Sequence, residues 1–174
     1  LKSGVVAPII HAALKRLEYR GYDSAGVATI HEGNLYLKKD GGKIDEIHER
    51  LNLDDMPGRV GIGHTRWATH GGVSPKNAHP FLSCDGKVAV VHNGTLDDFE
   101  SLREELSRRG HRFSSQTDTE IIVHLMEEGL KEGKDPLDAF VDAVSKLRGS
   151  YAIAVLVAEG GYLLLARNKS PLVI

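Results

Sequence analysis

Tyr151-Ala152-Ile153-Ala154-Val155-Leu156-Val157-Ala158-Glu159-Gly160-Gly161-Tyr162-Leu163-Leu164-Leu165-Ala166 is the stretch from which the fold follows. Two apolar runs of strand length flank Glu159-Gly160-Gly161, a turn composition, so residues 151–158 and 162–166 are expected to form a hairpin. Neither run alternates with polar residues, and strands apolar on both faces belong in a sheet covered on both sides. Just upstream, Asp135-Pro136 opens a helix with Leu137, Phe140, Val141, Val144 and Leu147 on one stripe, stopping at Gly149. Thr95 with Asp98, and Thr117 with Glu120, have the spacing of a capping box and predict helices over 96–109 and 118–130. Towards the N-terminus, Ile10, Ala13, Leu14 and Leu17 follow helical spacing from Val6 to about Arg20-Gly21. A hairpin of 27–30 with 35–38 is expected next, then a short helix over 44–51 and strands over 60–67 and 88–92. Helices grouped between hairpins predict α+β layers and not a parallel doubly wound sheet.

The 174 residues, 41% of them hydrophobic, suffice for one core and one domain, and no repeat or linker divides them. Lys and Arg number 22 against 24 Asp and Glu, a formal charge of -2 with no basic block, which argues against nucleic acid as a partner. No apolar run approaches the roughly 18 residues of a membrane span, so no membrane partner is expected. The lone thiol, Cys84, makes no internal disulfide and is ordinary in a reducing compartment, so the cytoplasm is the expected location. The sequence begins without Met and ends on Ser170-Pro171-Leu172-Val173-Ile174, and both ends are read as cut.

Four segments carry candidate chemistry. In His64-Thr65-Arg66-Trp67-Ala68-Thr69-His70-Gly71-Gly72, a strand places Val60, Ile62, His64 and Arg66 on one face, so an apolar start becomes a cationic end. The planar fork of Arg66 matches a carboxylate, with Thr69 and His70 as further donors; the plain alternative is a surface arginine. In Val88-Ala89-Val90-Val91-His92-Asn93-Gly94-Thr95, a strand is expected to hand over to a helix N-terminus at Asn93-Gly94. An Asn amide beside a Gly backbone amide there suits an oxyanion hole, with an ordinary turn as the alternative. Gln116-Thr117-Asp118-Thr119-Glu120 reads as an acidic helix start, and Asp118 there also suits a substrate ammonium. With Arg66 it would supply both handles of an amino-acid zwitterion. Glu18-Tyr19-Arg20-Gly21-Tyr22-Asp23-Ser24-Ala25-Gly26 is a polar turn that suits either function or a simple helix cap.

Together these segments resemble the class II glutamine amidotransferases, and the motifs at 18–26 and 64–72 are close to the glucosamine-6-phosphate synthase branch. The resemblance implies a glutaminase domain of the N-terminal-nucleophile hydrolase fold, an αββα sandwich of two antiparallel sheets between helical layers. It implies L-glutamine as substrate and L-glutamate with ammonia as products, no cofactor and no metal. Asn93 and Gly94 would form the oxyanion hole, with Arg20 and Gly21 lining the nucleophile's surroundings. Arg66, Thr69 and His70 would bind the α-carboxylate and Asp118 the α-ammonium, and Trp67 would separate the glutamine site from the ammonia passage. In the complete enzyme, sugar-isomerase domains would use the ammonia on fructose 6-phosphate, and that enzyme is expected to be a homodimer.

The family begins with a Cys-Gly-Ile-Val-Gly strand carrying the nucleophile, just before a segment like 1–7, and this sequence has none, so it is expected to be inactive as it stands. Cys84, in a Ser83-Cys84-Asp85-Gly86 segment that reads as an exposed turn between strands, is no substitute. Two rival readings are a binding module that holds glutamine without hydrolysis, and a metal hydrolase using His64, His70, His79 and His92. The second lacks HExxH or paired CxxC spacing.

Overall fold

The computed structural model describes residues 4–67 and 72–173. Two antiparallel sheets pack face to face, with a helical layer outside each. The first sheet comprises β1 (Ser24–His31), β2 (Asn34–Gly41) and β3 (Val60–Arg66), in the order β2-β1-β3. The second comprises β4 (Phe81–Leu82), β5 (Val88–Leu96), β6 (Gly149–Val157) and β7 (Tyr162–Asn168), in chain order. Alternation along each strand assigns its residues to layers. Ala28, Ile30 and Ile62 meet Ala89 and Leu156 between the sheets. Ala25 and Val27 point outward to α1 (Ala7–Leu17) and α2 (Ile44–Leu51). Val88, Val90, Ile153 and Val155 point to the opposite layer, made of α3 (Phe99–Arg108), α4 (Glu120–Lys131) and α5 (Pro136–Ser145).

The expected hairpins, the short helix and the Asp135 cap are all present; the Asp135 carboxylate accepts hydrogen bonds from the backbone amides of Leu137 and Asp138. β6 is covered on both faces as its composition predicts, by the helices on one side and the first sheet on the other. β7 differs: Leu164 and Ala166 pack on the helical layer, but Leu163 is 46% and Leu165 37% exposed. The α5 stripe is also displaced. Ala139, Phe140 and Ala143 face the core, while Leu137 and Val141 are exposed, because α4 packs against the small-residue side of α5.

Both expected capping boxes are replaced by longer-range bonding. β5 does not stop at His92; its pairing with β6 continues to Leu96 opposite Gly149, so Thr95 lies in a strand. α3 starts only at Phe99, behind Asp98 in a left-handed conformation with no side-chain cap. At α4 the cap residue is Thr119, and the Glu120 carboxylate turns back to the preceding loop. There it accepts from the amides and hydroxyls of Ser114 and Ser115 at 2.7 to 2.8 Å.

Glu120 thereby fastens the loop that presents Asp118. Burial pushes its carboxyl up, but the bonds from Ser115 and Ser114 outweigh that and hold it below its ordinary value of 4.5. A depressed carboxylate contributes stability above its unfolded pKa and loses it as pH falls through the folded one. Glu120→Gln is therefore expected to cost about 3 kcal/mol at neutral pH, read from urea midpoints. The gap between variant and parent should shrink as pH falls below 4.5.

Candidate active site

The ends of β3 and β5 and the loop before α4 enclose a cavity of about 190 Å³, room for a single amino-acid-sized ligand. Its wall includes Arg20, His64, Arg66, Trp67, Asn93, Gly94 and Asp118. A larger groove of about 830 Å³ runs along the exposed side of α3 and contains none of the sequence-predicted site residues. Arg20, His64, Thr65, Asn93 and Gly94 also line a second, neighbouring cavity of about 410 Å³.

Arg66 and Asp118 supply its two buried charges, at 5% and 7% exposure. Ile62, His64 and Arg66 are the buried side of β3, as the period-two reading predicts. The Arg66 guanidinium donates to the Gly72 carbonyl at 3.4 Å. Burial lowers its pKa from the ordinary value against the pull of Asp23 and Asp118, and a guanidinium remains a cation at any working pH. Asp118 is held at both oxygens, more tightly at Oδ2, which accepts from the Leu96 amide at 2.8 Å. Its Oδ1 lies 3.4 Å from the Thr119 hydroxyl.

Asn93 and Gly94 lie inside β5 and not at a helix start, which corrects the expectation that helix-terminal amides surround them. Gly94 has φ +130°, and a Cβ there would lie 1.9 Å from the Ser150 carbonyl oxygen. Only glycine keeps both this conformation and the pairing with β6. Gly21 faces the end of β3, where a Cβ would meet the Arg66 carbonyl carbon at 2.8 Å. Arg20 is exposed and donates to the Tyr19 hydroxyl at 2.8 Å. Trp67 is 58% exposed, its ring 5.5 Å from that of Tyr22 at the rim. Thr69 and His70 lie outside the described residues.

Three histidines form part of this wall. His64 Nε2 donates to the Asn93 side-chain oxygen at 3.0 Å, which turns the Asn93 amide nitrogen away from His64. The His64 ring stacks on His79 at 4.2 Å. His79 Nδ1 accepts from the His92 amide at 3.3 Å, and His92 Nδ1 lies 3.0 Å from the Thr119 hydroxyl. Burial lowers the pKa of each, to about 4 for His64 and well below the ordinary value for His79. These contacts replace the metal-hydrolase reading for His64, His79 and His92, none of which joins a metal-capable cluster among the described residues. His70 lies outside them. Sequence reasoning missed His64 as a support for Asn93; its place on the Arg66 face of β3 was the available signal.

Fold and cavity together define a small α+β sandwich with a charged, amino-acid-sized pocket at its strand ends. Comparison with known proteins gives the class. The profile of the glutamine amidotransferase domain matches residues 64–174. The chain is 54% identical over 167 residues to glutamine–fructose-6-phosphate aminotransferase (isomerizing) of Pyrococcus horikoshii, covering 95% of this chain and 28% of that protein. It is 49% identical over 175 aligned residues to the protein of the same name from Methanothermobacter thermautotrophicus, covering 100% and 30%. A solved glutamine phosphoribosylpyrophosphate amidotransferase from B. subtilis superposes with a TM-score of 0.76 at 28% identity, covering 89% of this chain and 34% of that one. The chain belongs to the glutamine amidotransferase domain family. Its sandwich is the N-terminal-nucleophile hydrolase type, and it spans under a third of the length of these curated relatives.

The lowered pKa of His64 is directly measurable. Its imidazole resonances should show the Nε2-protonated neutral tautomer and no titration between about pH 5 and 8, whereas an ordinary histidine titrates near 6.5.

Proposed function

We propose that the pocket binds the amino-acid end of L-glutamine and that the domain hydrolyses the side-chain amide to L-glutamate and ammonia. The observation that carries this reading is one buried cation and one buried carboxylate, Arg66 and Asp118, on the wall of a single cavity that also holds Asn93 and Gly94. Arg66 takes the α-carboxylate through its planar fork, and Asp118 takes the α-ammonium with the oxygen that Leu96 leaves available. The side-chain amide then extends towards Asn93 and Gly94. A cysteine thiolate, which the family resemblance places on an N-terminal residue ahead of Leu1, attacks the amide carbon. The carbon–nitrogen bond breaks as the nitrogen gains a proton and leaves as ammonia, and water then cleaves the thioester to glutamate. Asn93 and Gly94 donate to the oxyanion formed in both steps. Arg20 and Gly21 shape the nucleophile's side of the cavity, and Trp67 covers its mouth. Thr69 and His70 complete the carboxylate grip.

In the complete protein the ammonia passes to fructose 6-phosphate, giving glucosamine 6-phosphate on sugar-isomerase domains, within a cytoplasmic homodimer. Support for the acceptor comes from the names of the relatives, which match almost all of this chain. No described helix is long and apolar enough to cross a membrane.

Binding and chemistry separate by mutation. Arg66→Ala should weaken glutamine or glutamate affinity by about 2 to 5 kcal/mol in a calorimetric titration, and an unchanged affinity would remove Arg66 from the site. Asn93→Ala, assayed in the complete polypeptide, should lower kcat about a hundredfold or more with little change in KM, because the oxyanion exists only after attack begins. A residue serving only the turn would reduce folding stability instead, with activity following the folded fraction.

A further inference from the structure

Away from the pocket, four metal-ligating side chains meet across 43 residues of sequence. Cys84 lies in the turn between β4 and β5, His111 in the connection from α3 to α4, and His124 and Glu127 one turn apart on α4. Sequence reasoning gave Cys84 no partner. Its sulfur in fact lies 3.9 Å from His111 Nδ1 and 3.8 Å from His124 Nδ1. Those two nitrogens are 3.2 Å apart, and Glu127 Oε2 is 3.3 Å from the first and 3.5 Å from the second. Ordinary zinc bond lengths arranged tetrahedrally give edges of about 3.3 Å between nitrogens and about 3.6 Å from nitrogen to sulfur.

We propose that Cys84, His111, His124 and Glu127 form a structural zinc site. The proton arrangement around the cluster favours it. His111 Nε2 lies 2.8 Å from Glu128 Oε1, which places the ring proton there and leaves the Nδ1 lone pair aimed at the other three donors. A carboxylate on the far nitrogen is the usual second support of a zinc-bound histidine. If hydrogen bonding alone held the cluster, His124 would spend its proton on His111 Nδ1 and leave Nε2 bare. That Nε2 is buried with no hydrogen-bond partner. With both Nδ1 atoms on a metal, His124 Nε2 carries its proton instead, facing Glu120 Oε1 at 3.9 Å. The Arg112 amide donates to the Cys84 sulfur at 3.3 Å, which stabilises a thiolate. A thiolate, a carboxylate and two neutral imidazoles balance the charge of a divalent ion. The sulfur and nitrogen donors select zinc over calcium or magnesium.

Four protein ligands close the tetrahedron, so the ion fastens and does not catalyse. It would join the β4–β5 turn and the α3–α4 connection to α4, whose first residue, Glu120, holds the loop carrying Asp118. Metal binding releases the thiol proton of Cys84 and involves no change of oxidation state.

The test is metal analysis of protein purified with zinc present, without a metal-affinity step, and then desalted. About one zinc per chain is expected, falling below about a tenth in Cys84→Ser and in His124→Gln, with folding followed by circular dichroism. Cobalt in the parent protein should give the intense visible absorption of a tetrahedral ion and a thiolate charge-transfer band, the latter lost in Cys84→Ser. That measurement does not depend on a folded His124 variant. A strong chelator should lower the parent's melting temperature by about 5 °C or more and leave Cys84→Ser unchanged. Octahedral cobalt, a charge-transfer band that survives Cys84→Ser, or zinc content equal in parent and variants would each overturn the site.

Discussion

The hydrogen bond from the Leu96 amide to Asp118 Oδ2, 2.8 Å long and joining residues 22 apart, holds the pocket together. Leu96 ends the strand that carries Asn93 and Gly94, while Asp118 belongs to the loop before α4. One carboxylate oxygen thus fixes the distance between the segment assigned to the reacting amide and the segment assigned to the amino-acid end. Both sides of that bond are themselves secured. β5 is paired with β6 along its whole length, and Glu120 anchors the Asp118 loop through Ser114 and Ser115. Effects on substrate geometry are expected from changes at any of these points, including ones that touch no ligand.

The electrostatics of the wall follow from burial. His64 and His79 stand close to Arg66 and to His92, so burial and neighbouring charge both disfavour a proton on them, while at His92 burial outweighs the pull of Asp118. Burial thus favours the neutral form of each, and their ring nitrogens serve as fixed hydrogen-bonding points for Asn93, the His92 backbone and Thr119. The buried cationic character of the pocket then resides in Arg66 over the whole physiological range, with Arg20 at its exposed side. A carboxylate arriving there meets a constant charge and not one that varies with pH.

What could be read in the sequence was local. Alternation put Ile62, His64 and Arg66 on one side of β3, apolar runs located β1, β6 and β7, and Asp135-Pro136 marked a helix start that is present. The resemblance drew on the same local motifs, and Arg66, Asn93, Gly94 and Asp118 do converge. The failures came where partners outside the expected cap outbid its spacing. Thr95 and Asp98 have capping-box spacing, but β6 supplies backbone partners to Leu96 and keeps the segment extended. Glu120 was read as a cap for its own helix and instead serves Ser114 and Ser115. The His64–Asn93 bond and the cluster of Cys84, His111, His124 and Glu127 join residues too far apart for any spacing rule.

The outer strand of the second sheet has a practical consequence. β7 has one pairing neighbour among the described residues, β6, and it presents Tyr162, Leu163 and Leu165 to solvent. A strand margin with apolar side chains is a template on which another extended segment can add. For a concentrated solution of this 174-residue stretch by itself, this apolar margin favours self-association, and a net charge of -2 opposes it little. Lysine in place of Leu163 is the gentlest way to keep such a preparation dispersed, since it would add charge on the exposed side while leaving Leu164 and Ala166 packed on the helices.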